Sequence, residues 1–523
     1  MPLVLTFDMG TQSARAMLVD PEGNVAALAQ KRYETPYLSP NPGWAEQDPE
    51  FYWRAVCEVG NALKAKAGGL WKDIIAVTCT TIRDTCLCLD ENGAPLRNVI
   101  LWLDKREAKN LGVLPPVSSL MFEIARVGDT VRLQRKVSAC NWIAKNEPEV
   151  WAKTRFFVLI SAWLTLKLCG SLTDSTASTI GHVPFDSKIR NWMKKTDRRR
   201  GVFEIDEGMQ YPLVEPGETL GKITAAAASQ TGVPEGLPLI ATGSDKGCET
   251  LGLSCLGPDS AALSFGTVAT VQVTTKDYVE PMLFIPPFPA VVPGWYNPEM
   301  EIYRGYWLIS WFKREFAEKE VREAAVLGIP PEKLLNERLA EVPPGCDGLI
   351  FQPYFTPGLV MPHARGSIIG FSDVHTRIHI YRAIVEGINF GLMDGLQTIE
   401  KRAKMDIRKL FVAGGGSQSD EICQITANMF GLPVHRIQTH EVSGIGSSMV
   451  AFIAKGVFGS YEEAVARMVH IKDTFTPKEA EREVYRRLYD EVFTKIFGRL
   501  SPLYRQISEI TDRTEESRHG ASV

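Results

Sequence analysis

The sequence predicts an α/β protein built from two related domains, and three observations carry that expectation. An apolar strand, a Gly-Thr turn and a second apolar strand occupy residues 3–19, turning at Gly10-Thr11-Gln12, and the same device returns over residues 261–273 at Gly266-Thr267. Around these hairpins, strand-like runs alternate with helix-like ones. The chain of 523 residues also exceeds what one hydrophobic core usually supports. Glycine in such a turn lets backbone N–H groups close on an anion, and a Thr or Ser hydroxyl adds a donor. Carried twice, once early and once past the midpoint, the device suits two domains gripping one polyphosphate in a cleft.

Composition narrows the class. Hydrophobic residues at 45% and charged residues at 23% exclude a disordered chain, and no apolar stretch reaches bilayer length. The net charge of -4 and pI near 6.2 argue against a nucleic-acid partner held by a basic surface. The ten cysteines contain no CxxC pair and read as free thiols of a reducing compartment. Met1-Pro2-Leu3-Val4 has no basic leader region, so the expected location is cytoplasmic.

Each element has a local reason. Residues 3–8 form a mainly apolar run ending on Asp8, and the return strand stops at Asp20-Pro21-Glu22-Gly23. Asp48-Pro49-Glu50 is a helix start, followed by helical periodicity over 51–67. Residues 74–79 and 85–90 are strand-like, the second closing at Asp90-Glu91-Asn92-Gly93. Residues 138–168 read as mostly helical, and 239–245 as a buried strand opening onto Gly243-Ser244-Asp245. Residues 252–258 read as a hinge, which places the domains at 1–252 and 253–460, with a charged helical segment and frayed tail over 461–523. In the second domain a strand over 410–413 meets Gly414-Gly415-Gly416-Ser417-Gln418-Ser419, then a helix over 420–430 and a strand over 433–437. That order suits a nucleotide's phosphate or sugar at a helix start, although such a glycine run alone is more often a tight connection.

Several segments then resemble one family. They are Asp8-Met9-Gly10-Thr11-Gln12-Ser13-Ala14-Arg15, Gly43-Trp44-Ala45-Glu46-Gln47-Asp48-Pro49, Leu101-Trp102-Leu103-Asp104-Lys105-Arg106 and Gly243-Ser244-Asp245. In the second half come Gly366-Ser367-Ile368-Ile369-Gly370-Phe371, His379-Ile380-Tyr381-Arg382-Ala383-Ile384-Val385-Glu386-Gly387 and Gly414-Gly415-Gly416-Ser417. In this order, to about residue 456, the chain is similar to the FGGY carbohydrate kinases of the actin-like, hexokinase-like and heat-shock-ATPase-like superfamily. The resemblance implies two actin-like/ribonuclease H-like domains with a nucleotide and substrate cleft between them. It also implies transfer of the γ-phosphoryl group of ATP, with Mg2+, to a hydroxyl of a sugar or polyol, a pentulose such as xylulose or glycerol.

The resemblance assigns roles residue by residue. Asp245 is the implied base, because a sugar hydroxyl is a poor nucleophile near neutral pH and a carboxylate can take its proton as it attacks. Asp8 is implied to hold Mg2+ through water. The nucleotide is assigned to Thr11, Gln12, Ser13 and Arg15 in the first hairpin and to Gly266 and Thr267 in the second. Gly414, Gly415 and Ser419 are expected along the adenosine, joined by Gly305 and Ser310. Arg15 facing solvent from its strand is the competing reading.

The acceptor side departs from some relatives. Where xylulose kinases carry Gln-Met-His, this chain has Thr81-Ile82-Arg83-Asp84-Thr85, closer to the Arg-Glu-Thr of glycerol kinases with a carboxylate one methylene shorter. Arg83 and Asp84 side by side can clamp vicinal hydroxyls, and a surface ion pair is the bland alternative. Trp102 and Asp104 are expected in the same pocket, and the choice between glycerol and a ketose stays open. A small sugar or polyol is the expected partner, neither nucleic acid nor membrane is, and a homodimer stays open.

Other features read as structural. His435 and His440 have no third ligand at metal spacing. The basic residues 194–200 read as a solvated loop, and Trp307 and Trp311 as helix packing. Two rival classes remain: an ATPase of the same fold with a regulatory or conformational role, and a non-catalytic sugar-binding relative. Asp245 and the 366–387 segment speak against the first, and Asp8 and Asp245 against the second.

Overall fold

The computed structural model describes residues 1–125, 127–283, 285–356, 361 and 363–519, the last eight by backbone alone. The chain forms two compact units, the first from residues 1–256, 274–297 and 441–470, the second from 257–273, 298–440 and the chain from Ile471 on.

The first unit is built on a six-stranded sheet. β1 (Leu3–Met9) and β2 (Ser13–Val19) make the first hairpin, and β3 (Val25–Arg32) extends it antiparallel. α1 (Pro49–Ala67) starts where Asp48 accepts from the Glu50 amide at 3.0 Å and Pro49 takes the first helical position. Tyr52, Val56, Val59 and Leu63, at helical spacing, bury one face of α1 in the core beside Leu3, Leu5 and Phe7. β4 (Ile74–Thr81) then pairs parallel to β1. Helices α2 (Pro116–Ile124) and α3 (Gly128–Val137) precede β5 (Thr219–Lys222), β6 (Pro238–Ile240) and α4 (Asp245–Gly252). The strand order is β5-β6-β4-β1-β2-β3, with β6 parallel to β4 and β5 antiparallel at the edge.

The second unit repeats this plan. Its strands are β7 (Ser260–Phe265), β8 (Ala269–Gln272), β9 (Glu299–Ile302), β10 (Lys409–Ala413), β11 (Val434–Ile437) and β12 (Ile471–Phe475). They lie in the order β9-β8-β7-β10-β11-β12. β7 to β9 are antiparallel neighbours, β10 and β11 run parallel to β7, and β12 closes the edge antiparallel. Its helices include α5 (Trp307–Phe316), the 27-residue α6 (Arg377–Ala403) and α7 (Asp420–Phe430). Three antiparallel strands, two parallel ones and an antiparallel edge recur in both units, which is the duplication that the two Gly-Thr hairpins announce.

Four features depart from the sequence reading. Phe156–Leu159, inside the stretch read as helical, is a strand paired with Cys86–Leu89, as its aromatic and β-branched side chains favour. Ile471–Phe475, in the segment read as helical, is β12. Asp245 begins a helix rather than ending a strand. The helix Val442–Ala454 groups with the first unit, whereas the sequence reading places 441–460 in the second domain. Buried hydroxyls hold it there: Thr6 Oγ1 lies 2.9 Å from Ser448 Oγ and 2.7 Å from Thr78 Oγ1, and Ser447 Oγ donates to Thr78 Oγ1 at 2.8 Å. A helix continues to His519, and the last residues of the expected frayed tail, 520–523, lie outside the described residues. None of the ten cysteines is in a disulfide. Among the described residues no helix is long and apolar enough to cross a membrane.

Candidate active site

In the first unit the parallel strands β1, β4 and β6 bring three loop ends to one edge of the sheet, the edge where α/β sheets usually bind ligands. Asp8 pairs in register with Thr80, and Thr81 bridges to Ser244 just beyond β6. Ser244 caps α4, accepting from the Gly247 amide at 3.2 Å, which makes Asp245 the first helical residue. α4 is held by backbone approach to the helix Val442–Ala454: a Cβ on Gly446 would stand 1.9 Å from the Cys248 carbonyl, and one on Gly252 2.2 Å from the Val442 carbonyl. Two glycines therefore fix where Asp245 sits.

Asp245 Oδ1 accepts from the Lys246 amide at 2.8 Å. Burial raises its carboxyl above the usual range, against the pull of Lys246 and Arg83. Lys246 is itself held by Glu249 at 3.1 Å. Asp8 is pushed up to about 7 by burial, with Asp245 and Glu441 adding to the rise and Arg15 opposing it. Arg15 does not face solvent unpaired: its Nη1 meets Asp8 Oδ2 and its Nε meets Glu441 Oε2, both at 3.3 Å. Gln12 is exposed, Ser13 is buried, and Thr11 Oγ1 accepts from Trp102 Nε1 at 3.0 Å. Trp102 thus ties its loop to the first Gly-Thr turn.

Arg83 and Asp84 follow β4, but Asp84 is not a bare clamp. It takes a left-handed backbone conformation, φ 45°, and its amide donates to the Ile180 carbonyl at 2.9 Å. Its carboxylate accepts from the His182 amide at 2.8 Å and meets His182 Nδ1 at 2.6 Å. The Arg83 guanidinium lies 4.9 Å from the centre of the Phe288 ring. An imidazole thus already occupies the Asp84 carboxylate, so the pair is not a bare donor and acceptor.

Asp104 has another task than lining a sugar pocket. Its oxygens accept from the Ala45 amide at 2.6 Å and from the Arg106 amide, Nε and Nη2, each at 2.8 Å. Arg106 also pairs with Glu46 at 2.8 Å and lies 4.0 and 4.7 Å from the rings of Trp44 and Trp142. With its side chain 4% exposed, Asp104 belongs to a buried scaffold that joins the Gly43–Pro49 and Leu101–Arg106 motifs.

The second unit, taken by itself, gathers most of its expected residues. β7 and β10 run parallel with Ser264 opposite Ala413, so Gly266-Thr267 and Gly414-Gly415 emerge side by side. Gly414 has φ +84° and lies so near that a Cβ would stand 2.7 Å from the Phe265 carbonyl carbon. Nothing lies within 4 Å of where a Gly415 Cβ would be, so the loop opens onto free space. Ser419 caps α7, accepting from the Ile422 amide at 3.3 Å and donating to Glu421 at 2.6 Å. Thr267 is exposed, and Gly266 accepts at its carbonyl from the Tyr306 amide at 3.0 Å. Gly305 is a packing glycine, since a Cβ there would stand 2.4 Å from the Ala269 amide nitrogen, and Ser310 is exposed on α5.

The secondary candidates take structural places. His435 Nδ1 lies 2.9 Å from Thr474 Oγ1, and no cluster of three ligating residues occurs among the described residues. Trp307 and Trp311 pack against Phe355. The basic loop is less solvated than expected: Arg199 pairs with Asp186 and Asp197, and Arg200 donates to the Met193 and Ile205 carbonyls. Sequence reasoning missed Lys246, Glu249, His182, Phe288 and Glu441. Lys246 and Glu249 were visible three residues apart on a helical face beside Asp245, whereas the others arrive from distant segments with no spacing to mark them.

Comparison with known proteins decides the family. Residues 3–252 match the N-terminal domain and residues 261–455 the C-terminal domain of the FGGY family of carbohydrate kinases. The chain belongs to the FGGY family. Its members are phosphotransferases acting on an alcohol group, and ATP use follows from the family. Among similar proteins, an uncharacterized sugar kinase of Escherichia coli K12 is 27% identical over 514 residues, covering 97% of this chain and 96% of that one. A xylulose kinase of Lactococcus lactis is 27% identical over 524 residues, 98% of this chain and 100% of its own. The crystal structure of xylulose kinase from Rhodospirillum rubrum superposes with a TM-score of 0.79 at 25% identity, over 96% of this chain and 100% of that one.

Proposed function

We propose that this FGGY kinase transfers the γ-phosphoryl group of ATP to a hydroxyl of a small ketose or polyol, a pentulose such as xylulose or glycerol, with Asp245 as the base. The observation that carries the reading is the placement of Asp245: a carboxyl at a helix start, raised by burial, beside Arg83 and on the same sheet edge as Asp8. The acceptor oxygen attacks the γ-phosphorus, its proton passes to Asp245, and the bond to the ADP oxygen breaks. Arg83 and the Asp84–His182 pair orient the neighbouring hydroxyls. The relatives named as xylulose kinases favour a pentulose, while the Arg-carboxylate pair keeps glycerol as the second acceptor.

The nucleotide is assigned to the turns of both hairpins, Thr11, Gln12, Ser13 and Arg15 in one and Gly266 and Thr267 in the other, with Gly414, Gly415 and the capped start of α7 along the adenosine. The open space at Gly415 supports this reading. A buried carboxylate at the end of β1 fits an ion that keeps most of its water. Asp8 would hold Mg2+ in that way, and the ion's charge there would offset that of the transferring phosphoryl group. Arg15, bridging Asp8 and Glu441, keeps Asp8 aimed into the site. ADP release measured with and without a panel of polyols and ketoses tests the proposal. Acceptor-dependent release is expected; equal release without acceptor would favour a regulatory ATPase, and no release a non-catalytic relative.

A further inference from the structure

Behind the acceptor clamp the first unit contains a cavity of about 160 Å3, lined from α2, α3, residues 179–203 and, further along the chain, Tyr278, Glu280, Pro286, Phe288 and Pro289. Its walls include Phe122, Val131, Val183, Phe185, Val202 and Phe288. Several of the polar side chains on its wall are engaged: Arg199 Nη2 meets Asp186 at 2.5 Å and Asp197 at 2.6 Å, and Tyr278 donates to Glu280 at 3.3 Å. What the cavity offers a guest is therefore mainly apolar surface. It is a partly open pocket whose walls offer more carbon than polar surface.

Two walls are shared with the acceptor clamp. Gly181 lines the cavity, and a Cβ on it would stand 2.6 Å from Asp84 Oδ1, so Asp84 lies directly behind that wall. Phe288 lines the cavity while its ring carries the Arg83 guanidinium. An acceptor whose reacting hydroxyl meets Asp245 and whose neighbouring hydroxyls meet Arg83 and Asp84–His182 would extend next toward Phe288 and Gly181.

We propose that this cavity is an annex of the acceptor site for an apolar end of the substrate. The preferred acceptor is then a short polyol or ketose with an alkyl or aryl end of roughly benzene size, the guest that an apolar cavity of about this volume holds. The inference rests on the kinase reading above and narrows its substrate class. It differs from a bare polyol in requiring burial of carbon surface away from the reacting hydroxyl, and such burial is what a hydrophobic pocket converts into selectivity.

The test compares glycerol with glycerol phenyl ether and glycerol hexyl ether as acceptors for the full-length protein. The annex predicts kcat/KM at least about tenfold higher for an ether than for glycerol. Val131→Phe, which fills the cavity from α3, should abolish that gain and leave glycerol within about twofold of wild type. Met193→Trp fills it from the partly exposed side and serves if Val131→Phe does not fold. Glycerol or xylulose turned over with no gain from either ether would overturn the annex and leave the kinase reading standing. A gain that persists in both filled variants would also overturn it. If no acceptor at all is phosphorylated, the kinase reading itself falls and takes this substrate assignment with it.

Discussion

On the proposed reading, in which His182 holds Asp84 on the acceptor side, His182→Ala should weaken use of the acceptor and leave the nucleotide untouched. The imidazole and carboxylate meet at 2.6 Å, and both side chains are 29% exposed, so the contact is partly screened. A hydrogen bond to a charged group contributes about 1.5–3 kcal/mol, and the exposure places this one near the lower figure. At about 1.4 kcal/mol per factor of ten, kcat/KM for the acceptor should fall about tenfold. Asp84→Ala removes the same contact and also the acceptor of the His182 amide, so its loss should be equal or larger. The double variant should be no worse than Asp84→Ala, giving a coupling energy of about 1.5 kcal/mol. The assay is ADP release against acceptor at saturating ATP, then against ATP at saturating acceptor. Additive losses, or a loss that appears in the KM for ATP, would refute a pair that acts as one unit on the acceptor.

The remaining predictions concern the nucleotide and the buried carboxylates. Thr267→Val, at an exposed turn, should raise the KM for ATP several-fold with no change in acceptor KM or in Tm; an unchanged ATP titration would make the second hairpin a mere turn. With Asp8 pushed up to about 7, kcat/KM for ATP should fall as pH drops through about 7. Glu441→Gln, which removes one carboxylate that raises Asp8, should move that limb to lower pH, and a limb that stays put would contradict the coupling. Asp174 is likewise raised to about 7 by burial, against hydrogen bonds from Ser161 and the Ser175 amide. Its folded value lies above its unfolded one, so the native state binds the extra proton and stability falls as pH rises from about 4 to 7. Asp174→Asn should gain stability relative to wild type between pH 5 and pH 8, by on the order of 1–4 kcal/mol; a difference in Tm that does not change with pH would refute the assignment.

Much of this architecture was legible because it is local. The hairpin over residues 3–19, the capped start at Asp48 and the strand, glycine loop and helix around Gly414 all announce themselves within a few residues, and the structure keeps each of them. Phe156–Leu159 and Ile471–Phe475 were missed because a short apolar or mixed run beside helices reads as helix until a neighbouring strand claims it. The Gly243-Ser244-Asp245 tip is legible, but Asp245 sits at a helix start beside the close approach of Gly252 and Gly446, which joins segments nearly two hundred residues apart. The same distance hid His182 and Glu441. Asp104 shows the opposite error: a residue in a family motif was read as facing the ligand, whereas Ala45 and Arg106 take up its carboxylate. A motif marks a place in the fold, and only the partners at that place distinguish scaffold from site.

The central claim, that Asp245 is the base of an ATP-dependent phosphoryl transfer, is tested most directly by single-turnover ADP formation in wild type and Asp245→Asn with the best acceptor of the panel. Asn keeps the size of the side chain and the Lys246 amide contact but cannot take the proton. The account predicts a loss of on the order of a hundredfold or more in rate with ATP binding preserved. Wild-type-like turnover in the folded variant would contradict it.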